Sequence, residues 1–382
     1  MVKKPDYYLF LTVVFLIILG ILILASVSSS VSQEEFGNPF QFLGHQIIYG
    51  LIPGIFLAWL FFKFPLVHLK KFILPVLLAN LIFLGLVFAP KIGVSIRGAT
   101  RWISLGPISF QPSEFLKITF ILYLASWLST RASFSKEGNS RSKKKNFSYA
   151  GAIHQRKTLI AFFIILGLVS LFLVLQPDVS TLGTIAIVAL IMYFLAGAPL
   201  WHIFSIILIG IAGLFTLIKI APYRMNRFLI FLQPELYPQG IGYHLQQSLI
   251  AIGSGGIRGL GPGLSRQRFG FLPGAMADSI FSIFAEEWGF IGAFLLILLF
   301  LIFLVLGFKI SRNAKDRFLQ LAGFGITSWI VIQAFINIGA MIRIVPLTGI
   351  PLPFISYGGS AIVVELIGVG ILLNISKQSK TI

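Results

Sequence analysis

The sequence predicts an all-α polytopic membrane protein with about ten transmembrane helices. Both termini are expected in the cytoplasm, with one large extracytoplasmic loop between helices 7 and 8. Three observations lead there. Of 382 residues, 57% are apolar and only 11% charged, a balance with too little polar surface for a water-soluble fold. The apolar residues gather in runs of about 20, the length that crosses a hydrocarbon core. The 30 Lys and Arg cluster in the turns where a positive-inside pattern needs them. The net charge of +18 therefore reads as a topology signal, and a nucleic-acid partner is set aside. The chain has no cysteine, which excludes disulfides and thiolate metal sites. Its five His (45, 68, 154, 202 and 244) show no H-x-x-x-H spacing, so zinc chemistry is not expected.

The basic start MVKKPDYY precedes an apolar run from Leu9 to Val27. That run exceeds a signal-peptide core and is followed by many more, so it reads as a retained first helix. Ser28 to Gly44 is then an outer loop. Span two covers about His45 to Phe62 and span three about Phe72 to Pro90, joined by a loop with Lys63, His68, Lys70 and Lys71. An outer loop containing Arg101 and Trp102 leads into span four, Ser113 to Leu128. The stretch from Arg131 to Lys157 carries eight Lys or Arg against Glu137 alone. It reads as a disordered cytoplasmic loop. Spans five and six meet at LQPDVST (Leu175 to Thr181), where Pro177 breaks the helix. The turn AGAPLW leads into span seven, which ends near Ile220, and the large outer loop runs from Ala221 to Glu287. Span eight covers Trp288 to Phe308 and leaves through the basic KISRNAKDR. Span nine covers Phe318 to Ile342, and span ten ends at SKQSKTI. No internal repeat is visible, so residues 1–382 are expected as a single domain.

The 12 acidic residues can each be placed. Between 221 and 287 stand five Arg (224, 227, 258, 266, 268) and no Lys. Guanidinium forks grip phosphate bidentately, which suits a phosphorylated lipid headgroup. Snorkelling to bilayer phosphate accounts for the same residues. Asp278 is a candidate general base with a pKa lifted by partial desolvation, or else an N-cap. A helix beginning there would put Asp278, Ser282 and Glu286 on one face. Glu286 and Glu287 read as interfacial or paired with the Arg. Glu114 and Lys117, spaced i, i+3, form a charged pair near the membrane, either structural or facing a substrate together with Arg101. Pro112 suits the first turn of their helix. The last outer turn, PLTGIPLPFISYGGS, reads as a rigid re-entrant turn that accounts for Ser356 and Tyr357.

The motifs GATRWISLGPISFQPSEFLK, LQPDVSTLG, GYHLQQSLIAIGSGG, GLSRQRFGFLPGAMADSIFSIFAEEWGFIG and PLTGIPLPFISYGGS occur in this order. Together they resemble the SEDS family (shape, elongation, division and sporulation), which includes FtsW and RodA, across essentially the whole chain. The resemblance implies a ten-helix peptidoglycan glycosyltransferase of the bacterial cytoplasmic membrane. Such enzymes polymerise lipid II, an undecaprenyl-diphosphate-linked disaccharide-pentapeptide, at the outer face. They work with a class B penicillin-binding transpeptidase and other membrane proteins of division or elongation. The resemblance puts the catalytic Asp on Asp278 and the polar cavity residues on Arg101, Glu114 and Lys117. It suggests a divalent cation (Mg or Mn), for which the sequence shows no ligand cluster, and no organic cofactor. The family's loop LPE-x-x-TD is here LPGAMAD, with Gly274 and Ala277 in place of the usual Glu and Thr. The opening of the chain and EEFGNPFQFL resemble the septal FtsW branch, while AEEWGFIG and GIPLPF tilt toward RodA; the balance leans to FtsW. A lipid II flippase would need polar groups through the midplane, whereas here they collect at the outer mouth. A scaffold without catalysis would not need Asp278.

Overall fold

Asp6 opens the first helix of this computed structural model, its Oδ1 accepting the Leu9 N–H at 3.0 Å, a side-chain N-cap. The residues described are 4–90, 92–96, 99–105, 108–131, 149–220, 222–237 and 239–378. The core of the basic stretch expected to be disordered, 132–148, lies outside them. Among the described residues eight helices are long and apolar enough to cross a membrane, and Val179–Leu195 is a shorter apolar one. The chain forms two compact units: Met1–Phe64, Ala212–Ile310 and Thr327–Gln378 make one, Pro65–Ile211, Ser311–Ile326 and Ser379–Ile382 the other.

In the first unit, α1 (Tyr7–Phe36) runs for about 45 Å at the helical rise. The polar stretch from Ser28, expected as loop, is therefore largely helical. From Ser28 to Phe36 there is no Gly or Pro, and Gly37 ends the helix at φ 68° and donates to the Gln33 carbonyl at 3.0 Å, as a left-handed C-cap does. The second span is α2 (Gln41–Gln46), a π-helical turn (Ile47–Leu51) and α3 (Ile52–Lys63). Further along the chain, α13 (Gly359–Lys377) is buried from Ser360 to Ser376. It packs on α3 by small residues. A Cβ on Gly54 would meet Leu366 Cδ1 at 2.6 Å, and one on Gly370 would meet the Ala58 carbonyl oxygen at 2.3 Å. Such close approach gives dispersion contacts that lipid tails cannot better. Asn374 Nδ2 closes the pair by donating to the Phe61 and Phe64 carbonyls at 2.8 and 2.7 Å.

The expected loop from Ala221 to Glu287 contains helices as well as the turn segment 255–279. The chain of α8 (Leu200–Ile220) is followed by α9 (Pro222–Leu232), a 3-10 turn (Pro234–Leu236) and α10 (Ile241–Ser254). Arg343 caps α9, donating to the Phe231 and Leu232 carbonyls at 3.1 and 2.7 Å. Span eight also starts earlier than expected, since α11 covers Ile280–Asn313. It is broken at Gly289, which sits at φ 64°, ψ −166°. The residues that follow α10 repair the break. The Glu286 and Glu287 carbonyls accept the Leu260 and Gly261 N–H groups at 3.0 Å each, while Phe290 and Ile291 donate to Gly256 and Ile257 at 2.9 and 3.2 Å. The backbones touch so closely that a Cβ on Gly259 would lie 2.1 Å from the Glu287 oxygen. Four backbone groups beside the break thus find partners within the protein's own backbone.

The second unit contains α4 (Leu66–Leu86), α5 (Pro112–Arg131), α6 (Tyr149–Leu175) and α7 (Val179–Leu195). Lys70 and Lys71, expected in a loop, stand in α4. The segment between α4 and α5 is not α-helical. It folds as a three-stranded antiparallel sheet of β1 (Gly93–Ile96), β2 (Ala99–Leu105) and β3 (Ile108–Phe110), with Val94 opposite Trp102 and Ile103 opposite Phe110. The expectation of a purely α fold is corrected here. Short runs rich in Val, Ile, Thr, Trp and Phe favour strand pairing. The remaining helix, α12 (Arg317–Met341), has ends close to those of the expected ninth span.

Candidate functional site

Asp278 lies in the turn Pro273 to Ser279, half-buried, two residues before α11. The helix begins at Ile280, so Asp278 stands before its first turn. The face it was expected to share holds only Ser282 and Glu286. The turn is closed by the Gly274 carbonyl, which accepts the Ala277 N–H at 2.8 Å and the Ser279 N–H at 3.2 Å. Ser279 Oγ donates to the Pro273 carbonyl at 2.8 Å and is hydrogen-bonded to His244 Nε2.

The carboxylate folds back over Gly274. A Cβ built on that glycine would stand 2.3 Å from Asp278 Oδ1, and one on Gly349 would stand 3.9 Å from Oδ2. Both glycines have positive φ, 65° and 72°. The departure from LPE-x-x-TD therefore has a local meaning: at position 274 a side chain would occupy the place of the carboxylate.

The turn between α12 and α13, 342–358, fixes this turn from the other side. Asn337 Nδ2 donates to the Asp278 carbonyl and to the Ile350 carbonyl, each at 2.7 Å. The Tyr357 N–H donates to the Met276 carbonyl at 2.8 Å. Ser356 Oγ donates to the Ala277 carbonyl and accepts the Leu352 N–H at 2.8 Å. Behind them, Glu365 Oε2 accepts the Phe354 N–H at 2.8 Å, and Gln333 Nε2 donates to the Pro351 carbonyl at 3.1 Å. Gln46 Oε1 accepts the Gly358 N–H at 3.0 Å. Tyr357 Oη lies 2.9 Å from His45 Nδ1. Burial pushes the Tyr357 phenol up from its usual pKa. These bonds tie the turn down at many points, which accounts for Ser356 and Tyr357.

Glu286 and Glu287, read from the sequence as interfacial or paired with the Arg, stand in a helix rather than a loop. They are buried in α11. Glu286 accepts Ser265 Oγ, the Arg266 N–H at 3.2 Å, the Gln267 N–H at 3.4 Å and Ser254 Oγ at 3.4 Å. Glu287 accepts Ser26 Oγ at 2.9 Å. Buried carboxylates satisfied in this way hold the RQR loop in place.

Arg101, Glu114 and Lys117 belong to the second unit. Lys117 Nζ and Glu114 Oε2 form an ion pair at 2.7 Å, and Lys117 is only 1% exposed. Arg101 spans the break between α6 and α7, donating to the Gln176 carbonyl at 3.1 Å and to the Pro177 carbonyl. Asp178 caps α7 through the Thr181 N–H at 3.2 Å and accepts Ser113 Oγ at 3.1 Å.

Sequence reasoning missed Asn337, Gln333, Gln46 and His45 in the first unit. A signal existed for two of them. Gln333 and Asn337 are polar, four residues apart, inside an apolar span, and such residues are costly in a bilayer without a task. Among the described residues no group of three or more His, Asp or Glu stands ready to hold a metal ion.

A multi-pass helical membrane protein whose polar groups knit together its turns is the class this fold defines. The family model FTSW_RODA_SPOVE, described as "Cell cycle protein", matches residues 7–381. The chain belongs to this FtsW/RodA/SpoVE family. It is 37% identical over 380 residues to "Stage V sporulation protein E" of Bacillus subtilis (strain 168), covering 99% of this chain and 98% of the relative. It is 35% identical over 379 residues to "Probable peptidoglycan glycosyltransferase FtsW" of Coxiella burnetii (strain RSA 493 / Nine Mile phase I), covering 98% and 97%. A chain in the solved structure "Structural coordination of polymerization and crosslinking by a peptidoglycan synthase complex" is similar with a TM-score of 0.73 and 26% identity, covering 97% of each chain. The crystal structure of the Thermus thermophilus rod shape determining protein RodA is similar with a TM-score of 0.67 and 25% identity, covering 99% of this chain and 98% of that one.

Proposed function

We propose that the chain is a peptidoglycan glycosyltransferase that polymerises lipid II, with Asp278 as its general base. The names of its relatives support the activity. The observation that carries the role of Asp278 is its carboxylate, seated between Gly274 and Gly349 on a turn pinned by Asn337, Ser356 and Tyr357. A base must be held within reach of one hydroxyl, and this turn is built to hold one carboxylate.

In the proposed reaction the 4-hydroxyl of the acceptor sugar gives its proton to Asp278 while its oxygen attacks the anomeric carbon of the donor. The bond from that carbon to the diphosphate breaks, and undecaprenyl diphosphate leaves with the electron pair. A single displacement inverts the anomeric centre and needs a base but no carboxylate nucleophile. Arg101 and Lys117 are assigned to binding the negative lipid-linked substrate, with Glu114 tempering the charge of Lys117. A divalent cation, Mg or Mn, would neutralise the leaving diphosphate. The described residues offer it no multi-carboxylate cage, and no step is routed through it.

In this reading α5 and α7 complete ten spans, both termini are cytoplasmic, and the turn bearing Asp278 faces outward from the bacterial cytoplasmic membrane. A class B penicillin-binding transpeptidase is the proposed partner, in keeping with the complex of polymerisation and crosslinking among the structural neighbours. The septal role is favoured over elongation, a reading supported by the name FtsW that several relatives carry.

The deciding experiment is glycan polymerisation from purified lipid II in liposomes, with and without the transpeptidase. Wild type should give polymer, and Asp278→Ala and Asp278→Asn should give none while remaining folded. Asn caps a helix as well as Asp does, so the Asn variant separates a base from a cap. Polymer from both variants would remove Asp278 from the chemistry.

A further inference from the structure

The segment 256–272, between α10 and the Asp278 turn, exposes large apolar side chains beyond what a watery loop carries. Ile257 is 70% exposed, Leu264 64%, Phe269 55% and Phe271 57%. Arg258 and Arg266 are exposed among them. The stretch contains three Arg and no acid, and Glu286 and Glu287, which support it, are buried. Its third arginine is committed inward: Arg268 Nη1 donates to the Ser26 carbonyl at 3.3 Å, and its guanidinium stands 4.8 Å from the centre of the Phe269 ring.

That anchorage sets the depth of the segment. Ser30 Oγ donates to the Arg268 carbonyl at 3.4 Å, and Ser26 Oγ to Glu287 at 2.9 Å. On α1 the apolar run Leu9 to Val27 spans about 28 Å at the helical rise, close to the thickness of the hydrocarbon core. Ser26 and Ser30 straddle its end. The segment is therefore tied to α1 at the level where acyl chains give way to phosphates. Trp288, 41% exposed and next to Glu287, is a residue type that favours this level.

We infer that residues 256–272 form an interfacial strap embedded in that leaflet, with Ile257, Leu264, Phe269 and Phe271 among the acyl chains and Arg258 and Arg266 on phospholipid phosphate. An apolar face interleaved with arginine binds an anionic interface by buried area and by charge together. Guanidinium suits the task because it stays charged and grips phosphate bidentately. The occupant of this face is phospholipid.

The chain has no cysteine, so single cysteines carry a probe without background. Ile257→Cys, Leu264→Cys and Phe269→Cys are labelled with an environment-sensitive fluorophore in phosphatidylcholine vesicles. Phe215→Cys, in α8, serves as the lipid-facing control and Glu34→Cys, at the exposed end of α1, as the water-facing control. Doxyl-labelled phosphatidylcholine should quench all three strap sites as it does Phe215→Cys, and aqueous iodide should leave them bright. Iodide quenching at the level of Glu34→Cys would put the strap in water and overturn the inference. So would sites that neither quencher reaches, which would mean a protein covering. Titrating doxyl-labelled phosphatidylglycerol into the vesicles then tests the arginines. Replacing Arg258 and Arg266 by Gln should weaken its association with the Leu264→Cys probe by about fivefold per arginine, the effect of one basic side chain near an anionic surface. An unchanged titration would remove the phosphate contact.

Discussion

Asn337 grips Asp278 by its backbone carbonyl, at 2.7 Å, and the same amide nitrogen reaches Ile350 at 2.7 Å. One buried side chain thus ties the turn of the proposed base to the turn between α12 and α13. Asn337→Leu keeps the volume and removes both bonds. It leaves two carbonyls without this donor, at a cost of about 1–3 kcal/mol. The expected outcome is a folded protein with a lower melting temperature, slower polymerisation and nearly unchanged apparent KM for lipid II. A variant that polymerises at the wild-type rate would show that the Asp278 turn holds itself.

Gly274 gives a second handle on the same carboxylate. A methyl group there would fall 2.3 Å from Asp278 Oδ1, and φ 65° adds roughly 1 kcal/mol of backbone strain for alanine. Gly274→Ala should therefore cost activity far beyond its small loss of stability. Rates of lipid II polymerisation and melting curves on the same preparation check this together.

Glu286 is predicted to act through structure alone. It is 1% exposed and accepts four hydrogen bonds from Ser254 and the Ser265–Gln267 segment. Glu286→Ala strands those donors and should destabilise the protein by about 3 kcal/mol or more. Limited proteolysis should then cut first within the RQR loop. Intact resistance to protease in that variant would contradict the role.

The Lys117–Glu114 pair separates binding from architecture. Removing one partner leaves a buried charge unpaired, at about 3–5 kcal/mol, so Lys117→Met and Glu114→Gln should each express poorly. The double variant has no such orphan and should recover stability. If it also recovers polymerisation, the pair is only structural and its proposed contact with substrate fails. Loss of activity in a stable double variant is the expected result.

Tyr357 contributes a pH dependence. Burial raises its pKa above the ordinary 10.0, so its folded form holds the proton longer than the unfolded chain does. The associated stability is fully present below about pH 10 and is lost as pH rises through the folded pKa. Between pH 9 and 11, as a rough window, wild type should lose more stability than Tyr357→Phe. Parallel loss in the two proteins would assign the alkaline transition elsewhere.

The membrane class, the approximate place of most apolar helices and the turn before the last helix were legible in the sequence, and Asp278 was its candidate for the chemistry. They depend on local quantities: run length, the positions of Lys and Arg, and Gly and Pro at turns. The departure of Gly274 and Ala277 from the family motif was also visible, but its meaning was not. Only when the turn closes does the Asp278 carboxylate occupy the space beside Gly274.

Tertiary structure decided the rest. Glu286 and Glu287 read as interfacial or paired with the Arg because sequence shows their charge and not the Ser265, Ser26 and backbone donors that satisfy them. The break at Gly289 is stable because residues 256–261, some thirty positions earlier, supply the missing backbone partners. The helices α9 and α10 and the sheet β1–β3 were read as loop because short elements carry weak periodicity and form where neighbours bury them. Hydropathy is a property of each residue and can be summed along the chain. The partner of a buried polar group is fixed by folding, and in a membrane, where water cannot substitute, that partner decides which polar residues are scaffold and which are left for chemistry.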